Sequence, residues 1–256
     1  MLLVLPPSET KRDGGDATPL DLAALSFPGL APQRKAALAA LRTLSRSVRG
    51  SMDALALGPT QRFEVDRNRA LATAPVLPAL ERYTGVLYDG LEAESLSDAE
   101  RAFAARHVVI HSALFGLLRA DDRIPAYRLS HDSRLPGLSL RRHWRDAVTA
   151  ELAQQEGLVL DLRSESYTAL GPTPPTATYV RVVSEDARGR RTALSHFNKK
   201  GKGEFARAVI AAGIDHATLD GLVAWAIGNQ VRGEIVVVVH GAAPAPAPAR
   251  ASPARP

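Results

Sequence analysis

The sequence contains no cysteine. Disulfide bonds, thiolate nucleophiles, Cys-ligated zinc and thiol-based redox sensing are therefore excluded. Long hydrophobic runs are also missing, because no apolar stretch approaches the ~20 residues that a membrane-spanning helix needs. The opening MLLVL is too short for a signal peptide and lacks a basic n-region, so we expect a cytoplasmic protein with no membrane partner.

Lysine is scarce in this chain although the net charge is +5. Five lysines stand against 27 arginines, and three of the five, Lys199, Lys200 and Lys202, fall within four residues. A fourth, Lys11, closes the segment LPPSETK. Because the ammonium is a compact point charge that contacts a phosphate from many directions, these positions indicate an anion site.

The lysine-rich segment precedes an apolar pattern that predicts a helix over 203–212, with Gly213 to end it. Lysines at the start of a helix oppose the macrodipole, whose positive end favours anions. A phosphate bound there would remove the conflict, because its negative charge is attracted by the free backbone N–H groups and by the lysines. The flexible Gly201 and Gly203 would let the backbone approach it closely. The alternative is a solvated basic loop with no ligand.

Short apolar runs alternate with amphipathic helices along the chain. Strands are predicted at 1–5, from 108 to 111 and at 158–163, a hairpin over 178–184 and 192–197, and a last strand at 234–240. Helices are predicted at 33–49, at about 98–106 behind the capping box of Ser97 and Glu100, after Ser139, and at about 218–227. This order predicts a mixed α/β (α+β) fold with a central mixed sheet flanked by helices.

The domain organisation that we predict is simple. Residues 1–240 form one domain, and the Pro/Ala-rich residues 241–256 form a disordered tail, since they offer no apolar anchor larger than alanine.

The segment SMDALALGPTQRFEVDRN has the outline of a helix-hairpin-helix, with Pro59 at the first turn of its second helix. Such a hairpin can offer backbone N–H groups to a DNA phosphate, and Gly58, Thr60 and Arg62 are its candidate contacts. A plain turn between packed helices explains the same pattern.

The usual enzyme signatures are missing from this sequence: it has no P-loop, no GxGxxG after a strand, no GxSxG and no HExxH. His107 and His111 share a face but have no neighbouring carboxylate, so we expect structural histidines and no metal site or cofactor. The segment LFGLLRADDRIPAYRLS is the densest polar cluster, and its Tyr127 and Arg128 could clamp an anion. A surface network of Asp and Arg side chains that holds a long loop, with no bound anion, explains the same cluster.

Six uncommon blocks occur in the order of a known family and run from residue 1 to about 240. They are LPPSETK (5–11), YTGVLYDGL (83–91), HSALFGLLRADDRIPAYRLS (111–130), HW (143–144), DLRSESY (161–167) and SHFNKKGKGEFAR (195–207). With these blocks the sequence resembles the YaaA family of bacterial peroxide-stress proteins. The resemblance implies a cytoplasmic α/β protein that binds DNA through a positively charged cleft with a helix-hairpin-helix, and that limits iron-driven damage under peroxide.

The resemblance also implies site residues. Ser8 and Lys11 correspond to the N-terminal Ser/Lys motif, and Arg119, Tyr127 and Arg128 match the long central block. Trp144 matches the aromatic of the following block, and Lys199 and Lys200 match the paired lysines. Two departures stand out: Ala126 separates Pro125 from Tyr127, and the family's Leu-Arg-Pro-Leu-Asp is Leu-Arg-Ala-Asp-Asp here.

Two functions follow as expectations. The first is DNA binding of limited sequence specificity in the peroxide-stress response, because a chain without thiols must protect by binding rather than by thiol chemistry. The second is an enzyme acting on a phosphorylated or nucleotide-like small molecule in the same basic cleft, with Lys11 or Lys199 as base or electrophile and Tyr127 as proton donor. Buried lysines of depressed pKa would favour the enzyme, and lysines on an open groove would favour DNA. A scaffold with a solubilising basic loop is the third reading.

Overall fold

The computed structural model describes residues 1–182, 184–185, 191–192, 195–229, 231 and 236–240. Its strands are β1 (Leu2–Leu5), β2 (Val76–Pro78), β3 (Val108–Ser112), β4 (Gly116–Arg119), β5 (Arg123–Pro125), β6 (Val159–Asp161), β7 (Thr178–Val182), β8 (Ser184–Glu185), β9 (Arg191–Thr192) and β10 (Val236–His240). The α-helices are α1 (Ala31–Leu44), α2 (Val48–Ala54), α3 (Phe63–Arg69), α4 (Ala79–Arg82), α5 (Val86–Leu91), α6 (Asp98–His107), α7 (Leu140–Ala153), α8 (Glu165–Thr168), α9 (Ser195–Ala212) and α10 (Leu219–Gly228). The predicted tail at 241–256 lies outside the described residues.

A six-stranded sheet in the order β10-β7-β6-β1-β3-β4 forms the centre of the fold. The four inner strands are parallel, and β4 and β10 pair antiparallel at the two edges. Strand β1 is fully buried between β3 and β6, as its uninterrupted apolar sequence requires of a central parallel strand. The predicted mixed α/β fold with a central mixed sheet flanked by helices is confirmed.

Several predicted elements have different bounds in the structure. The helix expected over 33–49 is two helices, α1 and α2, because the Ser47 side chain accepts a hydrogen bond from the Gly50 N–H and starts a new helix. Among the described residues, the hairpin expected over 178–184 and 192–197 has two residue pairs, between β8 and β9, while β7 pairs with β6 and β10.

The prediction that the lysine segment is a loop before a helix starting at Gly203 is wrong. Helix α9 begins at Ser195, so Lys199, Lys200 and Lys202 lie inside it. Gly203 is needed for close packing rather than for flexibility, because a Cβ there would stand 1.9 Å from the Leu87 carbonyl oxygen of α5. Small residues therefore let α5 and α9 approach closely.

This close contact makes Gly203→Ala a sharp test of the packing. The added methyl group would force α5 and α9 apart, and we expect a loss of about 2 kcal/mol in the free energy of unfolding. Gly228→Ala is the matched control, because a Cβ on this glycine of α10 meets no atom within 4 Å. Alanine there should be neutral or stabilising by up to ~1 kcal/mol. Equal effects of the two substitutions in urea unfolding would contradict the packing described.

Candidate functional site

Polar side chains collect where the parallel strands end. Lys11 follows β1 by six residues, Ser112 ends β3, and Asp161 ends β6. In open α/β sheets, ligands bind outside the carboxyl ends of the strands, near the point where successive connections leave in opposite directions. Strand β1 is at such a point, since its partners β3 and β6 lie on opposite sides. We name the group around Lys11 the carboxyl-edge cluster: Glu9, Lys11, Tyr83, Ser112, Tyr127 and Arg128.

Lys11 is almost completely buried at the centre of this cluster. Its Nζ donates hydrogen bonds to the carbonyl oxygens of Ser8 at 2.9 Å and Glu9 at 3.1 Å. The same nitrogen lies 4.1 Å from the ring centroid of Tyr127 and 5.3 Å from that of Tyr83. Burial lowers the pKa of the Lys11 ammonium to about 7, so the free amine is well populated near neutral pH.

A chain of three buried hydroxyls runs beneath Lys11. The Tyr127 hydroxyl lies 2.7 Å from the Tyr83 hydroxyl and 2.7 Å from Ser112 Oγ. Burial raises the pKa of Tyr127 to about 12 and that of Tyr83 well above its ordinary value. Both phenols are therefore protonated at neutral pH and can act as hydrogen-bond donors.

Arg128 brings a second positive charge to the cluster. Its Nη1 contacts Glu9 Oε2 at 2.8 Å, and its backbone is held by Asn68, which both donates to the Arg128 carbonyl and accepts from its N–H. Arg128 is 7% exposed, whereas the Glu9 side chain is 61% exposed. The charged end of Arg128 thus lies inside the protein, covered by an acidic side chain at the surface.

A second buried polar group lies at the end of β6. Arg163 donates from Nε to Asp161 Oδ1 at 2.8 Å and from Nη2 to Oδ2 at 2.7 Å, with both side chains fully buried. Arg163 Nη1 also donates to His111 Nδ1 at 2.7 Å. Burial, together with the Arg163 charge, holds the pKa of His111 well below its ordinary value, so this histidine is neutral.

Lys202 joins α9 to this second group. Its Nζ donates to the carbonyl oxygen of Leu162 at 2.8 Å, just after β6, and burial lowers its pKa to about 8. Lys199 and Lys200, within the same turn of α9, are exposed. Lys199 and Lys200 thus lie on the outer face of α9, whereas Lys202 in the same turn bonds to the backbone just after β6.

The predicted hairpin residues lie at or near the surface. Thr60 and Arg62 are exposed, Pro59–Gln61 form a 3₁₀ turn, and Gly58 donates its N–H to Gln61 Oε1 at 3.0 Å. The short helices α2 and α3 flank this turn, and Asn68 of α3 binds the backbone of Arg128. Whether the turn contacts DNA as a helix-hairpin-helix stays a prediction.

Two further predicted site residues, Arg119 and Trp144, are not members of the cluster. Arg119 is paired with Val109 at the start of β3, the opposite end of that strand from Ser112, and donates to the Arg106 carbonyl. Trp144 is fully buried and donates from Nε1 to the Ala113 carbonyl at 2.8 Å, with its ring against Gly116. Ser8, by contrast, is half-buried beside Lys11, and its Oγ lies 3.3 Å from Thr10 Oγ1.

The sequence reasoning missed Glu9, Tyr83, Ser112, Asp161 and Arg163 as site residues. Three of them could have been found, because they come at or just after the ends of the apolar runs HVVIHS and LVLDLR. Glu9 and Tyr83 lie in the blocks LPPSETK and YTGVLYDGL, but the resemblance assigned no role to either residue. Within the described part of the chain, no group of three or more His, Asp and Glu side chains could hold a metal ion, and no helix is long and apolar enough to cross a membrane.

Together these features define a class: a mixed α/β protein with a buried, donor-rich cluster at the carboxyl ends of its parallel strands and exposed lysines on α9. Comparison with known families narrows the class. The family described as peroxide stress protein YaaA matches residues 1–229. The chain belongs to this family.

Curated relatives align with this chain over most of their length. A UPF0246 protein of Corynebacterium efficiens is 44% identical over 88% of this chain and 90% of its own. A UPF0246 protein of Streptomyces coelicolor is 42% identical over 83% of this chain and 84% of its own. A more distant one from Burkholderia pseudomallei is 32% identical over 84% and 87% of the two chains.

Proposed function

We propose that this protein acts in the cytoplasm, in the bacterial peroxide-stress response, by binding the phosphates of duplex DNA with limited sequence specificity. The observation that carries the proposal is the exposed pair Lys199 and Lys200 on α9. Lysine ammonium groups at a surface contact phosphates without reading bases, which gives affinity rather than sequence preference. Because the chain has no cysteine, protection by binding is the chemistry open to it rather than thiol oxidation.

The local charges are compatible with that role. Lys200 Nζ lies 3.5 Å from Glu204, but both side chains are well exposed, at 59% and 42%, so the pair contributes little and a phosphate can compete for the lysine. Lys202 is not available to DNA in this arrangement, since it is buried and bonded to backbone carbonyls. Limiting iron-driven damage would follow from covering the DNA.

Replacing both exposed lysines tests the proposal. For Lys199→Ala/Lys200→Ala we expect about a tenfold loss of duplex affinity at 0.15 M salt, measured by fluorescence anisotropy, and lower survival of peroxide-treated cells. The matched control is Arg141→Ala/Arg142→Ala, which removes the same charge from exposed neighbours on α7. Equal losses in the two double variants, or none in either, would refute a specific role for the α9 lysines.

A second candidate function is an enzyme acting on a phosphorylated or nucleotide-like small molecule. The observation that favours it is Lys11, buried at the carboxyl edge with a pKa lowered to about 7 by burial. A lysine that is neutral at working pH can serve as a general base, with the protonated Tyr127 nearby as donor. An enzyme that uses Lys11 keeps its turnover when Lys199 and Lys200 are replaced, which separates the two functions.

A further inference from the structure

Buried hydrogen-bond donors exceed acceptors in the carboxyl-edge cluster. Arg128 Nε is fully buried and has no hydrogen-bond partner among the described residues. Buried donors are almost always paired, because an unpaired one costs about 1–3 kcal/mol. An orphaned guanidinium N–H, on a side chain with one outer contact to Glu9, therefore indicates a ligand oxygen in the working protein.

The hydroxyl chain has a donor left over as well. Ser112 Oγ accepts the backbone N–H groups of Leu114 at 3.1 Å and Phe115 at 3.0 Å, so its own hydrogen goes to Tyr127. The two phenols then share a single contact with each other. One phenolic hydrogen, from Tyr83 or Tyr127, remains without an acceptor among the described residues.

The charges set the class of ligand. Lys11 and Arg128 together carry up to two positive charges, and a phosphate monoester carries about −1.5 to −2 charges with three strong acceptor oxygens. Lys11 and Arg128 are 7% exposed and Tyr127 is fully buried, so the rigid backbone of a duplex cannot reach them. A terminal phosphate on a small molecule needs a smaller opening than a diester inside a duplex does.

We propose that the carboxyl-edge cluster binds one phosphate monoester group, held by Lys11, Arg128 and a tyrosine hydroxyl, and that the Glu9 carboxylate occupies the place of that group on Arg128 in the free protein. The proposal deepens the second candidate function and rests on it for the class of ligand, whereas it is independent of DNA binding. Glu9 is displaced at little cost, because an ion pair with one well-exposed partner contributes at most ~1 kcal/mol.

The test uses the full chain and isothermal titration calorimetry with methyl phosphate, and with dimethyl phosphate as the diester. Wild-type protein should bind methyl phosphate and not dimethyl phosphate. Glu9→Gln should bind methyl phosphate about fivefold more tightly, because its competitor is gone. Asp66→Asn, which removes the same charge from the exposed ion pair with Arg69, should leave the affinity unchanged. Tyr83→Phe/Tyr127→Phe should weaken binding.

Three outcomes would overturn this proposal: no binding of methyl phosphate by folded wild-type and Glu9→Gln protein, equal tightening in Glu9→Gln and Asp66→Asn, or equal affinity for the diester. The Lys199→Ala/Lys200→Ala variant distinguishes the phosphate site from DNA binding, because its affinity for methyl phosphate should be unchanged while its affinity for duplex DNA falls. If the protein bound methyl phosphate but turned over no phosphorylated compound, the enzyme function would be refuted while the phosphate site would stand.

Discussion

The free energy of unfolding should rise by about 2 kcal/mol more between pH 7 and 9 in the wild-type protein than in Lys11→Met. The pKa of Lys11 is about 7 in the folded protein and near its ordinary value of 10.5 in the unfolded chain. Between these values the unfolded chain binds the extra proton, so stability increases with pH at up to ~1.4 kcal/mol per unit. At pH 7 the buried ammonium therefore costs about 4 kcal/mol relative to alkaline solution.

The measurement is urea unfolding at pH 7, 8 and 9. Lys11→Met leaves the carbonyls of Ser8 and Glu9 without a donor, but that loss does not depend on pH and does not enter the slope. Lys202, whose pKa is about 8, contributes equally to both proteins. Lys35→Met, at an exposed position of α1, is the control and should follow the wild type. Parallel pH profiles for wild type and Lys11→Met would show that Lys11 stays charged in the fold.

Asp161→Ala should destabilise the protein by about 3–5 kcal/mol, because it leaves the guanidinium of Arg163 buried without its carboxylate. The double variant Asp161→Ala/Arg163→Met should recover part of that loss, since no uncompensated charge remains. Glu165→Ala breaks the neighbouring but partly exposed pair with Arg181, so it should cost less than ~1 kcal/mol. If the double variant were less stable than Asp161→Ala, burial of the Arg163 charge would not be the cause.

The regular elements were predictable where local signals agreed with packing. The capping box of Ser97 and Glu100 starts α6, and the apolar run at 108–111 is a buried strand, because each depends on contacts within a few residues or on burial alone. Helix α9 was misjudged for the opposite reason. Gly201 and Gly203 argue against a helix locally, and Gly203 is required because α5 packs closely against it.

The site was predictable only in part, because it depends on how distant segments meet. The block resemblance brought Lys11, Tyr127 and Arg128 into one proposed site, and the structure places them together. Arg119 is close to Tyr127 in sequence, but β4 runs antiparallel to β3 and carries Arg119 to the far end of the sheet. Burial divides the lysines as well: Lys202 faces the sheet while Lys199 and Lys200 face outward.

The salt dependence of duplex DNA binding measures whether the α9 lysines neutralise DNA phosphates. Each lysine–phosphate contact releases a counterion and adds about −0.9 to the slope of log Kobs against log salt. We expect a steep negative slope for the wild type, a slope about 1.8 units shallower for Lys199→Ala/Lys200→Ala, and the wild-type slope for Arg141→Ala/Arg142→Ala. A flat wild-type profile, or identical slopes in wild type and the α9 variant, would contradict DNA binding through these lysines.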